Sequence, residues 1–553
     1  MLLSAGFVAF VWFRTGIYFE TNDDRYLTSI LSGVLTGEPD AHAIYVNYLL
    51  SAPLSVLYRL TTTVPWYGGM LVLLQWLVYG VMLDSVYTRC HRWLQAVFAT
   101  AMTGAFCFGY YYCAGMLEYT STAALLAMGG YTCLLLRQER RTGFVWFLVL
   151  ELLGCLLRRD AMLMIQPLGL AALAILIGEN SRASWKEKGK KILAVGGGIF
   201  LILCLSSAGN LMGYQGQEWK HFKQFNEART QLFDYYGNPD YEEVAAILGE
   251  YGISREKYEA FGSYMIMNWE PGAGPESRLA AYAAAKKTPL GIGELLQRIY
   301  NASVTEFPWK ICRMTVVAWG IFVLWTLLNR RLGMLFRGIV LLGGARMAVW
   351  TYLAWRGRYP MRVKLPLVAC EVLLLLVLVW RFWEEGHRIL WKKAVVSMGC
   401  MCFWMLCMFY GWRQIQYVEK IGAMQEIFTE GLEDVFSRCQ SQPENRYLLD
   451  ANSLSAYSGS AFQTSVYHPI NAVFSGGWFS GSPTVQRRLE EYLGEADGFY
   501  FLIYMDGNQE NSPQFRYLVQ EMGREPELAE QWPAAQGGNY GVYYFQGSFP
   551  FWK

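Results

Sequence analysis

Residues 18–27 read YFETNDDRYL, and they follow an apolar run, Met1 to Ile17, long enough to cross most of a bilayer. Three acids, Glu20, Asp23 and Asp24, therefore stand where a first span would leave the lipid. Capping is the ordinary account: Thr21 followed three residues later by Asp24 fits a capping box, and acids near a helix start complement its dipole. The chemical account is a general base held at the water–lipid boundary. Neighbouring side chains on a helix point about 100° apart, so one aspartate can cap while the other faces a cavity.

Composition supports a membrane reading of the first run. Of 553 residues, 54% are hydrophobic and only 17% charged, against about 25% charged in soluble domains. The deficit is uneven. Residues 1–212 and 309–412 hold most long apolar runs, while 213–308 and 413–553 read as aqueous. The net charge of +2 gives no reason to expect nucleic acid as a partner. Nine of the 12 cysteines sit inside apolar runs, with neither a disulfide framework nor zinc spacing. No cleavable signal pattern opens the chain, so the first run is expected to stay as a span.

About eleven spans are expected, near 2–18, 66–87, 94–115, 120–136, 143–158, 161–178, 192–212, 311–328, 337–355, 363–382 and 394–412. The connections alternate between two sets. TRCHRW, RQERRTG, ENSRASWKEKGKK, NRRLGMLFR and RFWEEGHRILWKK are short and basic, which places them in the cytoplasm. Residues 19–65, the turn at Glu118, RRDA, 213–308, RGRYPMR and 413–553 fall outside. The expected protein sits in a bacterial plasma membrane with its N-terminus cytoplasmic and its C-terminal domain extracytoplasmic. LLRRDAM and WRGRYPMR run against the charge bias and ask for a functional reason.

In the first outside loop, Leu27, Ile30, Leu31 and Val34 share a helical face, which suits a helix lying on the membrane surface. A second such helix is expected at 41–60, after the turn GEPD. A short first span, an acidic pair and surface helices in the first outside loop resemble the GT-C superfamily of membrane glycosyltransferases. The resemblance covers roughly 1–412 and is mainly architectural. It implies a polytopic α-helical membrane protein with a catalytic domain at 1–412, including a helical insertion at 213–308. A small α/β domain follows at 413–553. It also implies a hexosyltransferase that takes a sugar from a polyprenyl-phosphate carrier, with the catalytic acid at Asp23 or Asp24. The acceptor would be an extracytoplasmic glycan, lipid or protein. No organic cofactor is implied; clustered acids allow a divalent metal without requiring one.

Such a transfer leaves a dianionic phosphate, which arginine suits because it stays charged and binds phosphate through two parallel hydrogen bonds. Arg356, Arg358 and Arg362 cluster at the outer end of the ninth span, where Gly357 and Pro360 turn the chain. Snorkelling at a membrane edge is their ordinary account. Arg346 lies within that span and is expected to face an acid or the lipid phosphate. Arg158, Arg159 and Asp160 share one outside turn, either as a local ion pair or as a pocket wall. Glu118 sits at another, as a helix end or a second acid. Glu227, Arg229 and Asp234, on an amphipathic stretch with Phe222, Phe225, Leu232, Phe233 and Tyr236, are possible substrate contacts.

In 413–553, strands are expected at RYLLDA, GFYFLIYMD and NYGVYYFQG, with helices at PTVQRRLEEYLG and PQFRYLVQEMG. HPINAVFSGGWFSGSP has the composition of a binding loop or of plain surface. Two other functions compete. A transporter or lipid flippase would carry repeated halves and broken mid-membrane helices, and no convincing repeat is found. A membrane acyltransferase with a histidine base has few choices among His42, His91, His221, His387 and His468. His91 and His387 fall on the cytoplasmic side, and His42 remains open.

Overall fold

The computed structural model describes residues 1–137, 140–179, 184–269, 274–305, 310–383, 390–454, 459–464, 471–505 and 511–551. His387 and His468 lie outside the described residues. Seven described helices are long and apolar enough to cross a membrane: Trp66–Tyr87, Tyr119–Leu136, Arg141–Glu179, Trp185–Gly213, Leu332–Arg356, Met361–Arg381 and Ala394–Ser441. Three shorter apolar helices, Leu2–Thr15, Trp93–Gly109 and Cys312–Leu328, join them. The architecture is that of a polytopic helical membrane protein. Every predicted span overlaps one of these helices, with 143–158 and 161–178 sharing Arg141–Glu179.

That 39-residue stretch is not one rod. Arg158 leaves helical geometry at φ −156°, ψ 100°. Gln166 donates from Nε2 to Glu151 Oε2 at 2.9 Å, although fifteen residues of straight helix span ~22 Å. The chain therefore doubles back at Arg158 into a hairpin. Tyr131 fills the space between its arms, with its ring edge-on to Phe147 and its hydroxyl donating to Gln166 at 2.7 Å. Of the GGG run at 196–198, Gly196 and Gly197 face open space, and only Gly198 packs closely, against Leu148.

The basic connections meet one another. Arg89 donates to the Leu136 carbonyl at 3.0 Å, Arg137 pairs with Asp84, and Arg331 and Arg337 both pair with Glu179. The other set meets around a single cavity, described below. There the strand Tyr18–Phe19 pairs in parallel with Met116–Leu117, and Tyr18 bridges to Ser460. Ala461 N–H donates to Ile17 O at 3.0 Å and Phe19 N–H to Gly459 O at 2.9 Å. The C-terminal segment is thus hydrogen-bonded directly to the end of the first span.

The first loop departs from expectation. Its first helix forms, as Asn22–Ser32, but Thr28, Ser29 and Ser32 are buried together with Leu27, Ile30 and Leu31. It does not lie on a membrane surface with a wet face, because the C-terminal segment covers its polar side. Tyr26 Oη donates to Gly476 O at 2.5 Å, and Arg488 donates to Gly33 O and Val34 O at 3.3 and 3.0 Å. The second helix is shorter than expected, Tyr48–Leu60, because Asn47 caps it by accepting from Leu49 N–H. Upstream, Asp40 Oδ1 accepts from His42 N–H at 3.0 Å and holds a turn.

The last apolar run continues without a break through the helix Leu390–Ser441, about 78 Å long at 1.5 Å per residue. Position 412 lies inside it. Beyond it stands a five-stranded sheet in the order Ala472–Phe474, Tyr447–Leu449, Gly498–Met505, Asn539–Gln546, Glu527–Pro533. The first three strands run parallel and the last two pair antiparallel. The helices Pro483–Leu493 and Pro513–Met522 form as expected. Strands Ala472–Phe474 and Glu527–Pro533 were not expected. One has three residues, and the other is an edge strand exposed at nearly every position, so neither shows alternation.

Candidate active site

Where residues 21–23, 119–120, 158–164, 229–235 and 352–363 come together lies a cavity of about 540 Å³. Asp23, Arg158, Asp160, Arg229, Asp234, Arg356, Arg358 and Arg362 all contribute to its wall. The sequence placed these charges on four separate connections. Aromatic rings complete the lining: Tyr45, Tyr119, Tyr235, Tyr264, Tyr352 and Trp478.

Three arginines arrive by one device. The Leu332–Arg356 helix ends at Gly357, which takes φ 74° and caps it with N–H bonds to Leu353 O and Ala354 O. A Cβ would strain this left-handed position. Pro360 then opens the Met361–Arg381 helix from its N-cap position. Arg356, Arg358 and Arg362 project from this reversal. Arg356 lies over the Tyr235 ring at 4.1 Å, and Arg358 pairs with Asp234 at 2.5 Å. The π-turn Gln231–Tyr236 presents Asp234 and Tyr235 to the cavity. Such wide turns recur at functional sites.

The two aspartates of YFETNDDRYL separate cleanly. Asp23, in the first turn of its helix, lines the cavity and pairs with Arg362 at 3.4 Å. Asp24 is fully buried. Its Oδ1 accepts from Tyr67 Oη at 2.8 Å and from Tyr119 N–H at 3.2 Å. The expected capping box does not form: the Thr21 hydroxyl makes no cap bond, and Asp24 is spent on the core instead. Glu118 is a helix end that also approaches Arg362. Its Oε2 caps the Tyr119–Leu136 helix through Ser121 N–H at 2.8 Å, while Oε1 stands 3.9 Å from Arg362 Nε.

Electrostatics sharpen the separation. Burial raises the Glu20 carboxyl to about 8, and the charge of Glu118 adds to the rise. Burial also pushes Asp24 and Glu118 upward, with repulsion from Glu118 adding at Asp24 and the Arg362 charge opposing at both. These acids hold protons at pH values where a free carboxyl would not. Among the described residues no three His, Cys, Asp or Glu side chains are placed to hold a metal ion. Arg362 pairs with Asp23 at 3.4 Å and stands 3.9 Å from Glu118.

Four expected residues lie elsewhere. Arg346 is paired within the helix bundle with Glu371, which also accepts from Trp319 Nε1 at 2.7 Å. An acid rather than a lipid phosphate neutralises it, and ten helical residues set it ~15 Å from Arg356 along the axis. Arg159 is exposed and faces Asp160 at 4.0 Å, outside the lining. Glu227 points to solvent from the face opposite Phe225 and Ala228. His42 stacks on Trp219 at 4.0 Å and binds Asp40, away from the cavity, so no histidine among the described residues lines it.

Sequence reasoning missed Tyr45, Tyr119, Tyr235 and Tyr352, which carried no pattern beyond an aromatic-rich composition. It left Trp478 between binding loop and plain surface. The structure buries most of residues 472–482 of that stretch. Gly477 takes φ 107°, and a Cβ on Gly476 would fall 1.9 Å from Tyr264 O, so two glycines let Trp478 reach Tyr45 at 4.7 Å. Arg158 lies over the Tyr45 and Tyr119 rings at 4.8 and 5.4 Å.

No family model and no curated protein matches the chain. Among solved structures it is similar to ArnT from Cupriavidus metallidurans. The crystal structure of that protein bound to undecaprenyl phosphate aligns with a TM-score of 0.41 and 14% identity, covering 98% of this chain and 97% of that one. The apo crystal structure aligns at 0.38, with the same identity and coverage.

Proposed function

We propose that this protein is an inverting glycosyltransferase that moves a sugar from a polyprenyl-phosphate carrier to an extracytoplasmic acceptor. One observation carries the reading: Asp23 and Arg362, 339 residues apart in sequence, meet at 3.4 Å on the wall of a cavity that four more arginines line. Five guanidinium groups face three carboxylates there, an excess of two positive charges. That excess matches the charge of a departing phosphate monoester.

In the proposed step the Asp23 carboxylate takes the proton from an acceptor hydroxyl, whose oxygen forms a bond to the anomeric carbon. The bond from that carbon to the phosphate oxygen breaks, and its electron pair leaves with the phosphate. The anomeric carbon inverts. A phosphate leaves without being protonated, so the step asks for cations rather than a second acid. Arg356, Arg358 and Arg362 supply them, fixed before the charge develops. Asp24 keeps Tyr67 and Tyr119 in place.

The test uses the purified full chain in detergent. Lipid that co-purifies is extracted and identified by mass spectrometry, and undecaprenyl phosphate is titrated against the protein. A co-purifying polyprenyl phosphate or its glycosyl derivative, with binding weakened by Arg358→Ala, supports the reading. An Asp23→Ala strain that keeps its full surface glycan, from a protein that binds no polyprenyl phosphate, overturns it. Substrate uptake lost in that strain would point to a transporter.

A further inference from the structure

A second, smaller cavity of about 220 Å³ opens beside the first. Tyr235, Tyr236, Lys287, Thr288, Trp355 and Arg356 line much of it. Tyr235 and Arg356 belong to both cavities, so a single guanidinium stands on the partition. Lys287, exposed at its mouth, lies 5.1 Å over the Tyr236 ring.

The surroundings of this cavity have the chemistry of a membrane boundary. The helix Ile292–Tyr300 begins two residues past its wall at Leu290. It leaves Ile292, Leu296 and Tyr300 exposed at 81, 58 and 53%. Spaced four apart, they form an apolar stripe on one face, as in a helix lying in the lipid interface. Arg298 of that helix approaches Gly357, beside Arg356. Trp355 and Tyr352, each 57% exposed, extend the same boundary with the amphipathic rings that favour head-group depth. Two cations and a threonine hydroxyl thus lie where an apolar surface meets a polar one.

We propose that this cavity is a vestibule for a lipid-linked phosphate monoester or diester. Its head is held between Lys287 and Arg356 while its chain lies along the exposed stripe, and Arg356 hands the phosphate on to the main cavity. The proposal rests on the glycosyl-transfer reading for the identity of the carrier. The same chemistry would also admit an ambient anionic phospholipid.

Native mass spectrometry of the full-length protein separates these cases, with undecaprenyl phosphate and phosphatidylglycerol as probes. The wild type is expected to bind two undecaprenyl phosphates. Near a charged surface each lysine contributes about fivefold in affinity. Lys287→Ala should therefore weaken the second binding step roughly fivefold and Lys287→Glu roughly 30-fold, with the first step changed less than twofold. Lys287 is exposed, so neither variant threatens folding. A single binding step in the wild type, or a second step indifferent to Lys287→Glu, overturns the vestibule. If undecaprenyl phosphate does not bind at all, the carrier reading fails and phosphatidylglycerol decides. Binding that Lys287→Glu weakens supports a phospholipid occupant, and binding that ignores the substitution overturns the site.

Discussion

Asp23 and Asp24 are neighbours of identical chemistry, and replacing each with asparagine should have opposite consequences. Asp23→Asn removes the carboxylate that faces the cavity but keeps its shape. Its partner Arg362 retains Glu118 at 3.9 Å. The pair is 17 and 22% exposed, and its loss should cost no more than about 1 kcal/mol of stability. Turnover should fall by about 10²–10⁴, the usual share of a general base, or roughly 3–5 kcal/mol in the barrier. Asp24→Asn keeps a carbonyl oxygen where Tyr67 Oη and Tyr119 N–H donate. Burial already favours the uncharged acid at that position, so asparagine is a close mimic and activity should stay within about threefold. Asp24→Ala is different: it leaves two buried donors without an acceptor, at about 1–3 kcal/mol each. The assay is transfer by purified protein in liposomes loaded with the carrier that co-purifies, beside a thermal unfolding curve for each variant. An active Asp23→Asn enzyme, or a folded Asp24→Asn protein as inactive as Asp23→Asn, would refute the assignment of the base.

Arg346→Met should destabilise the protein by about 3–5 kcal/mol, because Glu371 is left buried without its cation. The double variant with Glu371→Leu should recover most of that loss in the same unfolding assay. Gly476→Ala should abolish transfer with little effect on the helix bundle, since its Cβ would collide with Tyr264 O and push Trp478 from the cavity. Trp478 accessibility to a water-soluble quencher, in a variant whose other exposed tryptophans are replaced, reads that displacement. Glu20 is raised in the folded state from about 4.5 to about 8. The folded protein then binds more protons than the unfolded chain between those values, so this group's contribution to stability is full below about 4.5 and is lost as pH rises through 8. Glu20→Gln should flatten the fall in thermal midpoint across that window.

How much of this was legible follows from the range of each signal. Spans are local: twenty apolar residues announce themselves, and the basic connections that meet at Glu179 and at Leu136 were sorted by charge alone. The turn at RGRYPMR was legible too, because Gly357 and Pro360 dictate backbone geometry whatever surrounds them. What the sequence left ambiguous was set by partners far away in the chain. DD reads equally as cap and as base. Only Tyr67 and Tyr119, 43 and 95 residues from Asp24, decide that it is held in the core while Asp23 stays at the cavity. Arg346 and Arg356 sit on one helix, and only Glu371 separates their fates. The surface-helix reading of the stretch carrying Leu27, Ile30, Leu31 and Val34 failed for the same reason. Amphipathicity states that one face is polar, and water and a packed neighbour satisfy that face equally well. Here Tyr26 meets Gly476 and Arg488 meets Gly33 and Val34, so the C-terminal segment takes the place of solvent. A segment that replaces water on the helix bearing Asp23 also helps fix where that carboxylate points. Loosening the contact at Arg488, with Arg488→Ala, is therefore expected to lower turnover through a residue that never touches the cavity.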